Sequence, residues 1–191
     1  MHVSDIIAIG WIHVTGCLVA LAAGAWNLAL PKGTPMHRAV GRTYMVAMLV
    51  LNVSAFFVYK FDIASFVPFR AGPHVFGLFH WFAVAALVFI AVGWYAARHQ
   101  RRAFWAYMHP TMMLLSYYDL VGGGINEAFT RIDPLRAILI ESAKSVGPHA
   151  QPPVIGTTQS LWMAAIFVLI VYFIARVALW RRKDRAAAMA A

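Results

Sequence analysis

The chain has 191 residues, 62% of them hydrophobic and only 12% charged, with a mean hydropathy of +0.69. Soluble domains carry about a quarter charged residues, so the composition specifies a membrane protein with several apolar helices. The formal charge of +9 does not argue for nucleic acid, because the basic residues stand in short clusters between apolar runs, as topology signals do.

The first span is expected from about Ile6 to Leu30, with Gly10, His13, Gly16, Ala20, Gly24 and Asn27 on or beside one face. Such a small-residue stripe lets a neighbouring backbone come close. This run lacks a basic leader and is too long for a cleaved signal, so it reads as a mature span. Its cysteine, Cys17, is the only one, which excludes a disulfide framework and a thiolate metal motif. A connector follows from Pro31 to Arg42, where Pro31, Gly33 and Pro35 are expected to break helicity and Lys32, His37, Arg38 and Arg42 supply charge. Span two, about Gly41 to Tyr59, holds Asn52 and Ser54 near its middle. A loop with Lys60, Asp62, Arg70, Gly72 and Pro73 leads to span three, about Val75 to Ala97, with His80 near its start.

Span four is expected from about Tyr107 to Ala128, and span five from about Leu161 to Trp180. Between them Ile132, Leu135, Ile138 and Leu139 recur at helical spacing, which reads as a short interfacial helix capping the bundle. The fold class is therefore all-α, a polytopic bundle of five transmembrane helices. The connectors after spans one, three and five carry Lys32, Arg38, Arg42, Arg98, Arg101, Arg102, Arg181, Arg182, Lys183 and Arg185. By the positive-inside rule the N-terminus faces out and the C-terminus in, which makes loop 130–159 extracytoplasmic in a bacterial inner membrane. One domain is expected over residues 1–185, with 186–191 a frayed cytoplasmic tail.

Span four concentrates the polar chemistry. From His109, the residues Met113, Ser116, Leu120, Gly123 and Glu127 stay on one helical stripe. Ionisable groups are costly in hydrocarbon, so the stripe should face the protein interior or a wet cavity. A ligand cavity here would use Met113, Ser116, Tyr117, Asp119, Glu127 and Arg131. The plainer reading is a polar seam that joins helices, with Glu127 and Arg131 an i,i+4 pair at the surface and Asp119 paired to Asn52 or a tyrosine hydroxyl. The run Gly122, Gly123, Gly124 allows either close packing or a break in the helix.

Four histidines are sorted by depth. His13 and His80 lie about 10 Å and about 8 Å below the outer ends of their spans, at 1.5 Å of rise per residue. His109 lies about 3 Å above the inner end of span four, and His37 is expected in the connector just before span two. Histidines at matched depth on facing helices are what bis-imidazole haem ligation requires. His2, His74, His99 and His149 fall in loops or at interfaces, where a solvated ring is the default. The leading expectation is a small haem b electron carrier exchanging electrons with quinone, its ligands drawn from His13, His80, His37 and His109. Its rivals are a carrier or binding protein for a small ligand and a structural subunit bound to another membrane protein. No Ser-His-Asp, HExxH, CxxC or phosphate-loop motif is present, and no metal site is expected.

The stretch KGTPMHRAVGRTYMVAMLVLNVSAF from Lys32 to Phe56, and the set Trp105, His109, Met113, Ser116, Tyr117, Glu127 and Arg131, carry a resemblance. With His13 and the His80-Trp81 pair, they resemble the bacterial predicted-membrane-protein family designated domain of unknown function 2306. The resemblance covers roughly the first 130 residues. It implies fold and topology and brings no activity with it. Asp119 and the three glycines depart from its small or apolar pattern.

Overall fold

The computed structural model describes residues 3–58, 78–99, 102–146 and 152–190. The loop with Lys60, Asp62, Arg70, Gly72 and Pro73, the expected span-three start at Val75, and His2, His74, Arg101, Pro148 and His149 lie outside the described residues. Among the described residues the chain is all helical, with α1 (Val3–Ala29), α2 (Pro35–Val58), α3 (Leu78–Arg98), α4 (Ala103–Arg131), α5 (Asp133–Lys144) and α6 (Pro153–Ala190). Four of these are long and apolar enough to cross a membrane, over Ala8–Ala29, Pro35–Phe57, His80–Arg98 and Pro153–Lys183. α4 is absent from that set for its composition, not its length. Its 29 residues include His109, Ser116, Asp119, Asn126 and Glu127, which lower its hydropathy.

The α1–α2 connector is shorter than the prolines suggested. Pro35 starts α2 instead of breaking it, because a helix's first position needs no N–H and proline's φ is already helical. The Thr34 hydroxyl caps that turn by accepting from the His37 N–H at 3.1 Å. His37 therefore sits in the first turn of α2 and not in the connector. At the other end, Lys32 Nζ donates to the carbonyls of Asn27 at 2.7 Å and Leu28 at 2.9 Å, closing α1. Gly33, at φ +80, makes the turn between them, a conformation that a Cβ would strain.

Contacts divide the chain into two compact units, Met1–Ile90 and Ala91–Ala191. In the first, α1 packs against α2, and of the expected small-residue stripe Gly16, Ala20 and Gly24 are buried while Gly10 has no neighbour within 4 Å of a Cβ position. Ala23 is buried as well. A Cβ placed on Gly16 would lie 3.3 Å from the Leu51 nitrogen and 3.4 Å from the Ala47 oxygen, so the two backbones meet directly there. Tyr44, Ala47, Met48, Leu51 and Ala55 line the buried side of α2.

In the second unit, α4 packs along α6, and α5 packs on both. Leu135, Leu139 and Ser142 form the half-buried face of α5, while Ile138 and Ile140 are exposed. Pro134 and Asp133 start this helix and Lys144 ends it, each matched to the helix dipole or to the donors left unpaired at a helix start. The Ser142 hydroxyl accepts from the Val154 N–H at 3.0 Å and joins α5 to the first turn of α6. The helix breaker Pro110 lies inside α4, which continues through it.

Candidate functional site

The polar groups of the first unit gather on one stretch of α2. Nδ1 of His13 lies 3.1 Å from both the Leu51 carbonyl and the Ser54 hydroxyl. Ser54 itself donates to the Leu51 carbonyl at 2.8 Å. With the serine proton committed there, the network assigns the His13 proton to Nδ1 and makes Nε2 the lone-pair nitrogen. Its own helix offers few polar side chains nearby, such as Thr15. The partners come instead from a facing helix, one of them a main-chain carbonyl.

His80 is 1% exposed, and its ring centroid lies 5.7 Å from that of Phe56. Both histidines thus meet α2 between Leu51 and Phe56, a rise of about 8 Å. The buried Asn52 amide donates to its own helix at Met48 O, 2.7 Å away. Asn52 belongs to the first unit and Asp119, its expected partner, to the second.

In the second unit, His109 Nδ1 lies 2.9 Å from the Gly93 carbonyl of α3. Gly93 permits the approach, since a Cβ there would come within 2.8 Å of the Met113 sulfur. His37 belongs to the first unit and His109 to the second. The rest of the α4 stripe is satisfied locally. Ser116, fully buried, donates to Met113 O at 2.8 Å, and Glu127 pairs with Arg131 one turn on. Asp119 is half-buried and takes no hydrogen bond from any described residue. Among the described residues of its own unit, no tyrosine hydroxyl donates to it.

A latch between α4 and α6 escaped the sequence reading. Gln159 Nε2 donates to Gly122 O at 2.8 Å and lies 3.3 Å from Asn126 Oδ1, and Trp162 Nε1 donates to Tyr118 O at 3.1 Å. Tyr117 meets the Trp162 ring edge-on, centroids 6.0 Å apart. The signal lay in the sequence: Tyr118, Gly122 and Asn126 repeat every four residues, and Gln159 and Trp162 are one turn apart. His99, expected to be merely solvated, stacks on Tyr95 at 4.0 Å, with Trp105 edge-on to that tyrosine at 4.9 Å.

An open apolar groove of about 670 Å³ runs between α1 and α2, floored by Gly16 and Ala47 and reaching Arg42 at one end.

A family model described as a predicted membrane protein, DUF2306, matches residues 10–148, which takes in most of α1 and runs past the end of α5. Neither a curated protein nor a solved structure matches the chain. The match spans well over half the sequence and includes His13, the Lys32–Phe56 stretch, His80 and the whole α4 stripe, so the chain belongs to the DUF2306 family of predicted membrane proteins.

Proposed function

We propose that this protein is a haem b-binding electron carrier of a bacterial cytoplasmic membrane, exchanging electrons with quinone. The observation that supports it is the tether on His13. Histidines that ligate metals characteristically donate their other ring N–H to a carbonyl, which fixes the tautomer and aims the basic nitrogen. His13 holds its Nδ1 against Leu51 O in that way, and His109 holds its own against Gly93 O. In this reading the haem supplies a one-electron couple, His13 and the buried His80 supply imidazole nitrogens, and Phe56 and Trp81 supply apolar walls.

The expected outcome is that protein expressed with added haem shows a low-spin reduced-minus-oxidised spectrum, lost in His13→Ala and in His80→Ala. Ser54→Ala should keep the haem but shift its potential, because it alters only the tether. Colourless wild-type protein, or alanine variants with the full spectrum, would overturn the assignment.

The same proposal takes α4 as a fifth span, since its 29 residues reach about 43 Å against a hydrocarbon core of about 30 Å. The basic connectors put the N-terminus outside and the C-terminus in the cytoplasm. A reporter that works only in the cytoplasm should be active when fused after Ala191, and periplasmic activity of such a fusion would sink this topology.

A further inference from the structure

The groove between α1 and α2 pairs an apolar trough with a charge that makes no ion pair among the described residues. Its walls are Trp11, Val19, Val46 and Val50, its floor is Gly16 and Ala47, and Arg42 stands at one end. From Arg42 to Val50 it follows α2 for about 12 Å, most of one leaflet's hydrocarbon depth of about 15 Å. It measures about 670 Å³ and is open along one side, so an occupant would stay partly uncovered.

The sequence contains no Asp or Glu between Asp5 and Asp62, so neither α1 past its first turns nor α2 can neutralise this end. Among the described residues neither Arg38 nor Arg42 makes an ion pair. Arg42 Nε donates to the Arg38 carbonyl at 3.3 Å, which occupies one of the five guanidinium N–H groups.

We propose that this groove holds one anionic phospholipid, its phosphate on the Arg42 guanidinium and one acyl chain laid along the Gly16–Ala47 floor. Guanidinium groups bind phosphate oxygens with paired, charge-assisted hydrogen bonds, and basic pockets between membrane helices favour anionic head groups. The trough gives one side of the acyl chain a protein wall, and the cation selects the head group. A neutral phospholipid fills the same trough with less attraction, because its phosphate is offset by its own cation. This site is independent of the haem reading.

The test is native mass spectrometry of the full chain released from mild detergent after equilibration with equal amounts of phosphatidylglycerol and phosphatidylcholine. The expected result is one retained phosphatidylglycerol on the wild type. Arg42→Gln should reduce its retention about fivefold, the worth of one basic residue at a lipid surface. Val46→Trp should abolish it by filling the trough while Arg42 stays. Val46 is exposed, so that variant is expected to fold, and an unchanged circular dichroism spectrum and elution volume verify this. Arg182→Gln, in the other unit, should retain the lipid fully. Equal retention of phosphatidylcholine, retention by both groove variants, or a loss in Arg182→Gln as large as in Arg42→Gln would overturn the site. So would a lipid-free dimer that Val46→Trp splits, since a second copy would then cover the groove.

Discussion

The α1–α2 pair and the α4–α6 pair solve one problem in different ways. Lipid tails are as apolar as leucine, so helices in a bilayer gain little from hiding apolar surface and must associate by packing or by hydrogen bonds. α1 and α2 use packing: Gly16 lets the Leu51 and Ala47 backbone come to contact distance. α4 and α6 are bridged by Gln159 and Trp162, whose N–H groups reach main-chain carbonyls of α4. Damage to the first pair should be steric and severe, and damage to the second polar and moderate. The family match covers the first pair, whereas α6 lies beyond it, so the close-packed pair belongs to the shared part of the chain.

The largest effect expected is that of Gly16→Leu. Its Cβ alone would fall 3.3 Å from a backbone nitrogen, and backbone cannot move aside as a side-chain tip can. Overpacking of this kind costs about 1–3 kcal/mol, so the melting temperature in detergent should fall clearly. Gly10→Leu is the matched control, because a Cβ there meets nothing within 4 Å. If both variants melt like the wild type, the two helices do not depend on this contact.

Gln159→Leu should come next. It removes the donor to Gly122 O and the contact with Asn126 while keeping side-chain bulk, and hydrogen bonds between membrane helices are worth about 0.6–1.7 kcal/mol. Trp162→Phe keeps the ring beside Tyr117 and loses only the bond to Tyr118 O, so it should cost no more. The double variant should be measured as well, since both donors serve one interface and their effects need not add. A Gln159→Leu protein as stable as the wild type would show that the latch is geometry without consequence.

These two pairs also differ in how far the sequence disclosed them. The small-residue stripe of α1 was readable because Gly16, Ala20 and Gly24 repeat on a single helix and only small residues serve close approach. The Glu127–Arg131 pair and the α5 helix were readable for the same local reason. The partners of His13 were not, since a main-chain carbonyl and Ser54 on another helix leave no mark near residue 13. Gln159 and Asn126 are 33 apart in sequence, and each alone resembles an ordinary polar residue near a helix end. Pro35 misled because proline has two opposite meanings, a break within a helix and a favoured first residue, and only the Thr34 cap distinguishes them.

The smallest effect is the most discriminating, and it concerns the glycine run of α4. The helix neither breaks nor turns at Gly122–Gly124, so the run has to be judged residue by residue. A Cβ on Gly122 would sit 3.1 Å from Gln159 Oε1, the far end of a flexible side chain, whereas Gly123 and Gly124 meet nothing within 4 Å. Gly122→Ala should therefore displace the Gln159 amide and lose part of the latch. Gly123→Ala should be neutral or stabilising, because alanine is favoured over glycine in a helix interior by up to about 1 kcal/mol. Measured side by side, the two melting temperatures should shift in opposite directions or differ by at least the cost of a weakened hydrogen bond. A Gly123→Ala protein less stable than Gly122→Ala would mean that the Gly123 face, and not the Gln159 face, is where α4 needs close approach.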